Sequence, residues 1–283
     1  MTQPVLLPSR LSHVERVIRI PDTELFDLSR DGQTALVLSN QTGSYQLATI
    51  PVNGGPLRAL THGTDRVSWA RISPDSQVVF TRDFGGREEH QFYQVPLDGS
   101  SQEEQVSKLS GIRVNDFSWS KAGDMIVYGY ATKETNAIGL LDPNSGESSE
   151  LFRNKHWAFN PYWSSDDSRI VVSAKTTEHP TAFELVFLDP AGKDAPVIYT
   201  PSKDSENTVV GWHPSRPWVL FKTDARGKYE LAIFKTETGD VVYLDAGEYD
   251  LGLDFPVSGW MPDGESVYYL ATREGRTRLY VEK

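Results

Sequence analysis

A short phrase that recurs six times limits the fold of this chain more than any other feature. In each copy an apolar residue or a tryptophan precedes a polar turn, usually built from Ser, Pro, Asp and Gly, and an apolar stretch follows. The copies are Leu28–Gly32, Ile72–Ser76, Trp119–Gly123, Trp163–Asp167, Trp212–Ser215 and Trp260–Gly264. Their second residues stand at positions 29, 73, 120, 164, 213 and 261, so the spacing is 44 to 49 residues. A repeat of this length is typical of one four-stranded blade of a β-propeller.

Each repeat contains the strands that a blade requires. In the second repeat they are Val67–Ile72 before the phrase, Val78–Phe80 after it, and the alternating stretch Gln91–Leu97. Short oxygen side chains bond the backbone of a turn, and Gly accepts positive φ, which explains the residues of the phrase. No useful window sustains an apolar period of 3.6 residues, so we expect very little helix. The sequence predicts an all-β, six-bladed β-propeller with four-stranded antiparallel blades, formed by residues 1–283 as a single domain.

The sixth repeat is incomplete. After the strand Arg278–Val281 no fourth strand follows, whereas Val14–Arg19 precedes the first repeat in the place that Leu57–Leu60 occupies before the second. We expect Val14–Arg19 to be the outer strand of the last blade, so that both termini build one blade. Closing the ring in this way removes an exposed strand edge.

Composition excludes several classes of partner and chemistry. The chain carries 28 Lys and Arg against 39 Asp and Glu, a net charge of −11, which argues against nucleic acid or an anionic membrane as a partner. It has no Cys, so disulfides, thiolate metal sites and cysteine nucleophiles are absent. The apolar run Val5–Leu7 is too short for a signal peptide, and no stretch approaches the roughly 20 apolar residues of a membrane span. We therefore expect a soluble, cytoplasmic protein.

Motifs of catalysis are missing from the sequence. It contains no G-x-S-x-G, no H-E-x-x-H, no G-x-x-x-x-G-K-[ST] and no G-x-G-x-x-G. The histidines stand singly, without the spacing of metal ligands, and a turn or packing role is favoured for each: His13, His62, His90, His156, His179 and His213. We expect no catalytic residue, no metal and no cofactor on this chain.

One enzymatic alternative remains open. Some six-bladed propellers hold a central calcium ion through carboxylate and amide oxygens and use it to hydrolyse lactones. Asp116, Asn160 and Asp254 stand near the predicted inner strands, where such ligands would be needed. Most Asp residues of the chain lie in turns, so this calcium-dependent lactonase hypothesis is the less favoured one.

The segment Phe80–Gly99 carries the most specific pattern. It places a charged loop with two glycines between two strands of the second repeat. Here the chain resembles the β-propeller of the prolyl oligopeptidase family, in particular its acylaminoacyl-peptidase and dipeptidyl-peptidase-like branches, and the related TolB-like propellers. The residues that match the family phrase are Arg82, Asp83, Gly85, Gly86, Glu88, Gln91 and Tyr93.

The resemblance implies a non-catalytic role. In that family the propeller caps an α/β-hydrolase domain with a Ser-Asp-His triad and restricts access to small peptides. This sequence has neither the roughly 250 residues of such a domain nor its elbow motif. The resemblance therefore implies a gating propeller that binds or filters peptides or a protein partner, with the hydrolase domain separate or missing. The alternative is a free-standing TolB-like scaffold for protein interactions.

The resemblance also supplies candidate ligand-binding residues. In the dipeptidyl-peptidase branch a pair of propeller glutamates holds the amino group of the substrate, and Glu88 and Glu89 are comparable to that pair. In an extended segment, adjacent residues point to opposite faces, so only one of the two would face a ligand. The competing interpretation is a charged loop anchor made by Arg82, Asp83 and Glu88. The candidate residues are Arg82, Asp83, Glu88, Glu89, Gln91 and Tyr93.

Overall fold

The strands of the chain form six antiparallel sheets arranged as the blades of a β-propeller. The structure, a computed structural model, describes residues 22–244, 251 and 257–283. Within these residues there is no helix, and hence none that could cross a membrane. From blade 1 to blade 6, the first strand of each blade contacts the first strand of the following one, so these strands surround the axis of the molecule. The predicted all-β, six-bladed propeller is confirmed.

Strand order in every sheet follows the order of the chain. Blades 1 and 2 contain β1 (Thr23–Leu28), β2 (Thr34–Ser39), β3 (Gln46–Pro51), β4 (Arg58–Ala59), β5 (Val67–Ile72), β6 (Gln77–Asp83), β7 (His90–Pro96) and β8 (Glu104–Gln105). Blades 3 and 4 contain β9 (Arg113–Trp119), β10 (Ile126–Ala131), β11 (Asn136–Leu141), β12 (Ser148–Asn154), β13 (Ala158–Trp163), β14 (Ile170–Ala174), β15 (Glu184–Leu188) and β16 (Val197–Tyr199). Blades 5 and 6 contain β17 (Asn207–Trp212), β18 (Trp218–Thr223), β19 (Glu230–Lys235), β20 (Val241–Tyr243), β21 (Ser258–Trp260), β22 (Val267–Arg273) and β23 (Arg276–Glu282).

Blade 6 has three strands within the described residues. The predicted outer strand Val14–Arg19 lies outside them, so closure of the ring by this segment stays a prediction.

The recurring phrase forms the turn between the first and second strands of each blade. In blade 4 the hydroxyl of Ser164 donates to Asp166 at 2.7 Å and accepts the backbone N–H of Arg169 at 3.0 Å. Ser29 and Ser73 accept backbone N–H groups in the same way at 2.9 Å. Oxygen side chains thus satisfy the turn backbone, which is the chemistry that the sequence predicted.

Aromatic side chains fill the interfaces between blades. Phe92 of blade 2 meets Phe117 and Tyr128 of blade 3 edge to face, at centroid distances of 5.2 and 5.4 Å. Trp212, which stands just before its turn, donates its indole N–H to the carbonyl oxygen of Tyr162 in the preceding blade at 3.0 Å. Such contacts bury large apolar areas and fix each blade against the next.

Candidate functional site

The connections between strands define the two faces of the propeller. We call the lower face the one that carries the connections from first to second and from third to fourth strands. The upper face carries the connections from second to third strands and those between blades. Alternating strand direction places these two sets at opposite ends of the axis.

The innermost strands of blades 2 to 5 each carry a β-bulge. In β5, Ser68 and Trp69 together oppose Thr81, because the register shifts between Val67 and Ala70. The same irregularity includes Asn115 in β9, Asn160 in β13 and Val210 in β17. A bulge turns a side chain away from the regular alternation of a strand. Here it contributes Trp69, Asn115, Asn160 and Val210 to the wall of one cavity.

That cavity, the upper cavity, lies on the axis towards the upper face and has a volume of about 600 Å³. Its wall is formed by Trp69, Asn115, Asp116, Trp157, Phe159, Asn160, Tyr162, Glu206, Thr208, Val209, Val210, Lys222 and Ser258. Aromatic side chains with a few polar groups between them are typical of a small-molecule or peptide site, and the volume is within the usual range of such sites.

The negative charge of Asp116, in the wall of the upper cavity, is balanced by Arg71. Its carboxylate lies 3.1 Å from the guanidinium of Arg71 and accepts the backbone N–H of Phe117 at 2.7 Å. Burial raises the pKa of Asp116, while the Arg71 charge opposes that rise. Asp116 is 8% exposed and Arg71 is half-buried, so the carboxylate end of the ion pair is shielded from solvent. It therefore fixes β5 against β9 at the wall of the cavity.

Two asparagines contribute amide groups to the cavity wall. Asn160 has a φ of +52°, in the left-handed region that Asn tolerates better than most residues. The Nδ2 of Asn115 is buried without a hydrogen-bond partner among the described residues. Buried amides without partners are rare, and strained backbone concentrates at functional sites.

Glu206 and Lys222 supply opposite charges on the side of blade 5. Glu206 accepts the hydroxyl hydrogen of Tyr229 at 2.7 Å, and burial together with this bond raises the pKa of Tyr229. The ammonium of Lys222 lies 4.5 Å from the centre of the same ring, a cation–π contact. Together with the Asp116–Arg71 pair, these charges leave the cavity close to neutral.

Two of the three candidate calcium ligands lie within the described residues. Asp116 and Asn160 line the same cavity, as the calcium hypothesis requires, and Asp254 lies outside the described residues. Asp116 already has Arg71 as its ion-pair partner. Where the structure describes the chain, no three His, Asp or Glu side chains form a group able to hold a metal ion.

A second cavity, the lower mouth, opens on the lower face and has a volume of about 620 Å³. Four tryptophans that end the innermost strands of blades 3 to 6 line it, namely Trp119, Trp163, Trp212 and Trp260. It shares Tyr162, Val210 and Ser258 with the upper cavity. The two cavities therefore follow one another along the axis.

Arg82 of the Phe80–Gly99 segment makes a structural contact. Its guanidinium forms a two-pronged ion pair with Glu103 and lies 5.4 Å from the ring centres of both Phe80 and Tyr93. Arg82 is 7% exposed. The pair attaches the connection before β8 to the centre of blade 2.

Gln91 and Tyr93 attach the outer edge of the same blade. The side-chain oxygen of Gln91 accepts hydrogen bonds from the Ser107 hydroxyl and the Leu109 backbone N–H, both at 2.9 Å. The Tyr93 hydroxyl donates to Gln105 at 3.2 Å. These bonds fix residues 105–109 against β7, which is consistent with the structural interpretation of the segment.

The acidic members of the segment lie on the upper face. Glu88 and Glu89 are exposed, and Glu88 lies 3.3 Å from Arg113. The loop is a turn rather than an extended strand, since Gly85, Gly86 and Glu88 all have positive φ. One carboxylate oxygen of Asp83 is buried without a partner among the described residues. As formed by the described residues, neither cavity is lined by any of the six candidates, whose ligand-binding role stays a prediction.

Sequence reasoning missed most of the upper cavity. Trp69, Trp157, Phe159, Glu206 and Lys222 belong to no motif, and only the ring of blades brings them together. One signal was present in the Asn-Pro pair at 160–161, because proline inside a strand marks a bulge or an edge.

Comparison with known families supports the resemblance seen in the sequence. Residues 12–137 match the model of the dipeptidyl peptidase IV (DPP IV) N-terminal region. This match spans less than half of the chain. No curated protein matches the sequence significantly.

Solved structures share the fold at low sequence identity. An acylaminoacyl peptidase in complex with Z-Gly-Gly-Phe-chloromethyl ketone is 12% identical, with a TM-score of 0.72 over 95% of this chain and 46% of that one. An oligogalacturonate lyase in complex with manganese is 14% identical, with a TM-score of 0.69 over 92% of this chain and 90% of that one. TolB from Acinetobacter baumannii is 15% identical, with a TM-score of 0.60 over 84% of this chain and 56% of that one. The resemblance to peptidase and TolB propellers is confirmed, and at these identities the likeness is one of fold.

Proposed function

We propose that this chain is a peptide-binding β-propeller that holds a peptide segment in the upper cavity. The observation that carries the proposal is the cavity of about 600 Å³ built by bulges in four neighbouring innermost strands. Bulges at equivalent places in successive blades concentrate side chains at one point on the axis. The acylaminoacyl peptidase with a similar propeller was solved with a peptide chloromethyl ketone, which favours a peptide here.

The chemistry of the wall suits a neutral, extended peptide. Trp69, Trp157 and Phe159 offer flat apolar surfaces to side chains. Asn115 and Asn160 offer amide groups that both donate and accept, which is what a peptide backbone requires. The paired charges of Asp116 and Arg71 leave no large net charge that would select an ionic ligand.

The channel also suits a gating role. The upper cavity and the lower mouth share Tyr162, Val210 and Ser258, so a segment that travels along the axis passes these three side chains. In this proposal the propeller selects peptides by width, and a separate hydrolase domain performs any cleavage. The chain spans 46% of the acylaminoacyl peptidase that it resembles, and the activity of that whole protein is part of the proposal.

A TolB-like role as a scaffold for a protein partner is the second candidate. It is favoured by two large apolar side chains on the upper face, Trp157 and Phe84, which are 52% and 42% exposed. Exposed aromatic side chains are enriched where proteins bind each other. A partner that covers this face would contact both of them, whereas a peptide in the upper cavity would contact Trp157 alone.

Peptide binding separates the two candidates. An array of labelled tri- to hexapeptides is titrated against the protein by fluorescence anisotropy, and the best binder is measured on Trp157→Ala and Phe84→Ala. Both side chains are exposed, so both variants keep the core. We expect Trp157→Ala to weaken binding about tenfold, since a stacked aromatic contributes roughly 1 to 2 kcal/mol, while Phe84→Ala leaves it unchanged.

Other outcomes are equally informative. If no peptide of the array binds, or if Trp157→Ala binds as tightly as the unaltered protein, the peptide proposal is wrong. Loss of binding in both variants would favour the scaffold role, because only a ligand that spreads over the upper face contacts both residues.

A further inference from the structure

The described connections of the two faces differ in charge. The eleven connections of the lower face contain 15 acidic and 5 basic side chains, a net charge of −10. The ten connections of the upper face that are fully described contain 9 acidic and 9 basic side chains. Among these described connections, the excess of negative charge lies on the lower face.

The turns of the lower face use Asp side chains as hydrogen-bond acceptors, which explains part of the negative charge. The same hydrogen bonds keep these carboxylates ionised. Asp31, Asp98, Asp142, Asp166 and Asp189 lie in lower-face turns and each accepts the backbone N–H two residues further on. Hydrogen bonds to these carboxylates lower the pKa of every one of them. The lower face therefore stays negative well into the acidic range.

The lower mouth stands at the centre of this negative face. Trp119, Trp163, Trp212 and Trp260 occupy equivalent positions in successive blades and are half-buried. Their exposed parts form an aromatic wall around a cavity of about 620 Å³. Indole faces attract cations, Arg and Lys in particular, and attract them more strongly where water is partly excluded.

We propose that the lower mouth binds a basic peptide segment, with an Arg or Lys side chain among the indole rings. The net charge of the lower face is −3 in the connections from first to second strands and −7 in those from third to fourth strands. This charge favours a basic occupant over an anionic or neutral one and attracts it from solution. A guanidinium group stacks on indole through its planar face, and its N–H groups remain free to donate to the Ser164 and Ser165 side of the mouth. The site lies on the face opposite the opening of the upper cavity, so this inference does not depend on the proposed function.

One lining residue provides a sharp test. Lys121 is exposed at the lower mouth, where its positive charge opposes a basic ligand. Lys133 is exposed on the upper face, in the connection 132–135. Lys121→Glu and Lys133→Glu change the net charge of the protein equally, and they differ in the face that they alter.

The experiment uses fluorescence anisotropy with a labelled hexapeptide that contains three Arg residues, and with its counterpart in which Gln replaces each Arg. We expect Lys121→Glu to tighten binding of the Arg peptide about threefold to tenfold and Lys133→Glu to leave it unchanged. Raising the salt from 50 to 300 mM should weaken binding by the unaltered protein, as screening requires. Trp163→Leu should weaken it about tenfold.

Several results would overturn the proposal. Equal tightening by both lysine variants would mean attraction by net charge alone, without a site. Binding of the Gln peptide as tightly as the Arg peptide, or no effect of Lys121→Glu, would mean that the mouth does not recognise cations. Trp157→Ala of the upper cavity should leave Arg-peptide binding unchanged, so failure here and failure of the proposed function can be told apart.

Discussion

His213 shows how one side chain joins two blades. It replaces the Ser of the recurring phrase, and its Nδ1 accepts the backbone N–H groups of Ser215 and Arg216, each at 3.0 Å. The other ring nitrogen lies 3.1 Å from the carbonyl oxygen of Gly264 in the next blade. This set of partners requires the neutral ring with its proton on Nε2. A second proton would remove the acceptor that closes the turn.

Stability should therefore fall as the pH falls through the range of histidine. Burial lowers the pKa of His213 from its ordinary value of 6.5. Above pH 6.5 the ring is neutral in both the folded and the unfolded chain. Below it the unfolded chain takes up a proton first, so the free energy of unfolding decreases until the folded ring is also protonated. Urea unfolding between pH 7.5 and 5 measures this slope, and His213→Asn should reduce it.

The Asn side chain can still accept the turn N–H groups but does not titrate, which is why it is the chosen replacement. At pH 7.5 the variant should lose about 1 kcal/mol through the missing contact with Gly264. His62→Asn is the matched control, because His62 is exposed. If His213→Asn kept the full pH slope, His213 would not be the group that titrates.

At the scale of the strand, two blades use the same tyrosine-on-glycine pair. Tyr128 of β10 lies opposite Gly139 of β11, and Tyr268 of β22 lies opposite Gly259 of β21. A Cβ added to Gly139 would lie 2.5 Å from Cζ of Tyr128. The ring covers the space that a side chain would otherwise fill, so the glycine permits close cross-strand packing.

Gly139→Ala should destabilise the protein by about 1 to 3 kcal/mol, the usual cost of overpacking a core. Tyr128 cannot easily move away, because it is 2% exposed and its hydroxyl is hydrogen-bonded to Ser148 at 2.6 Å. Thermal unfolding measures the change. Gly129→Ala is the control in the same blade, where the nearest atom to an added Cβ is at an ordinary 3.5 Å. Equal effects of the two variants would contradict the packing argument.

Strand pairing also explains why the sequence predicted the strands but not the upper cavity. The turn phrase predicted β5 to the residue, because Ser, Asp and Gly act within a few residues of themselves. The bulges at Asn115 and Val210 depend on how each innermost strand pairs with its neighbour, and no local pattern records that. The upper cavity was accordingly invisible, although the innermost strands that build it had been predicted.

At the scale of the molecule, the sequence also could not predict where the charge lies or what the Phe80–Gly99 segment of blade 2 does. The net charge of −11 was readable from composition, but its concentration on the lower face requires knowing which connections share a face. Arg82 and Gln91 stood out in the sequence as ligand candidates. In the folded chain they hold the outer part of blade 2 in place, because β8 has only two residues and gains little from its own ladder.

The lower-face carboxylates should also make the fold sensitive to strong acid. Hydrogen bonds from Ser164 and Ser168 lower the pKa of Asp166 to about 2, from an ordinary value of 3.8. The contribution of these two hydrogen bonds to the free energy of unfolding is complete above pH 3.8. It is lost as the pH falls towards 2, since Asp166 then binds a proton more readily in the unfolded chain than in the folded one. Asp166→Asn should therefore be less stable than the unaltered protein at pH 6, and the difference should disappear near pH 2.

Urea unfolding of both proteins at pH 6, 4 and 2.5 tests this expectation. Glu134→Gln removes one carboxylate from an exposed position of the upper face and serves as the control for charge alone. A difference between Asp166→Asn and the unaltered protein that stayed constant with pH would mean that the turn does not depend on the charged carboxylate. A difference in the free energy of unfolding that decreases at low pH would mean that the turn depends on the charged carboxylate. The turn phrase, the first feature of the sequence, would then both stabilise the blade and supply negative charge to the face on which the lower mouth opens.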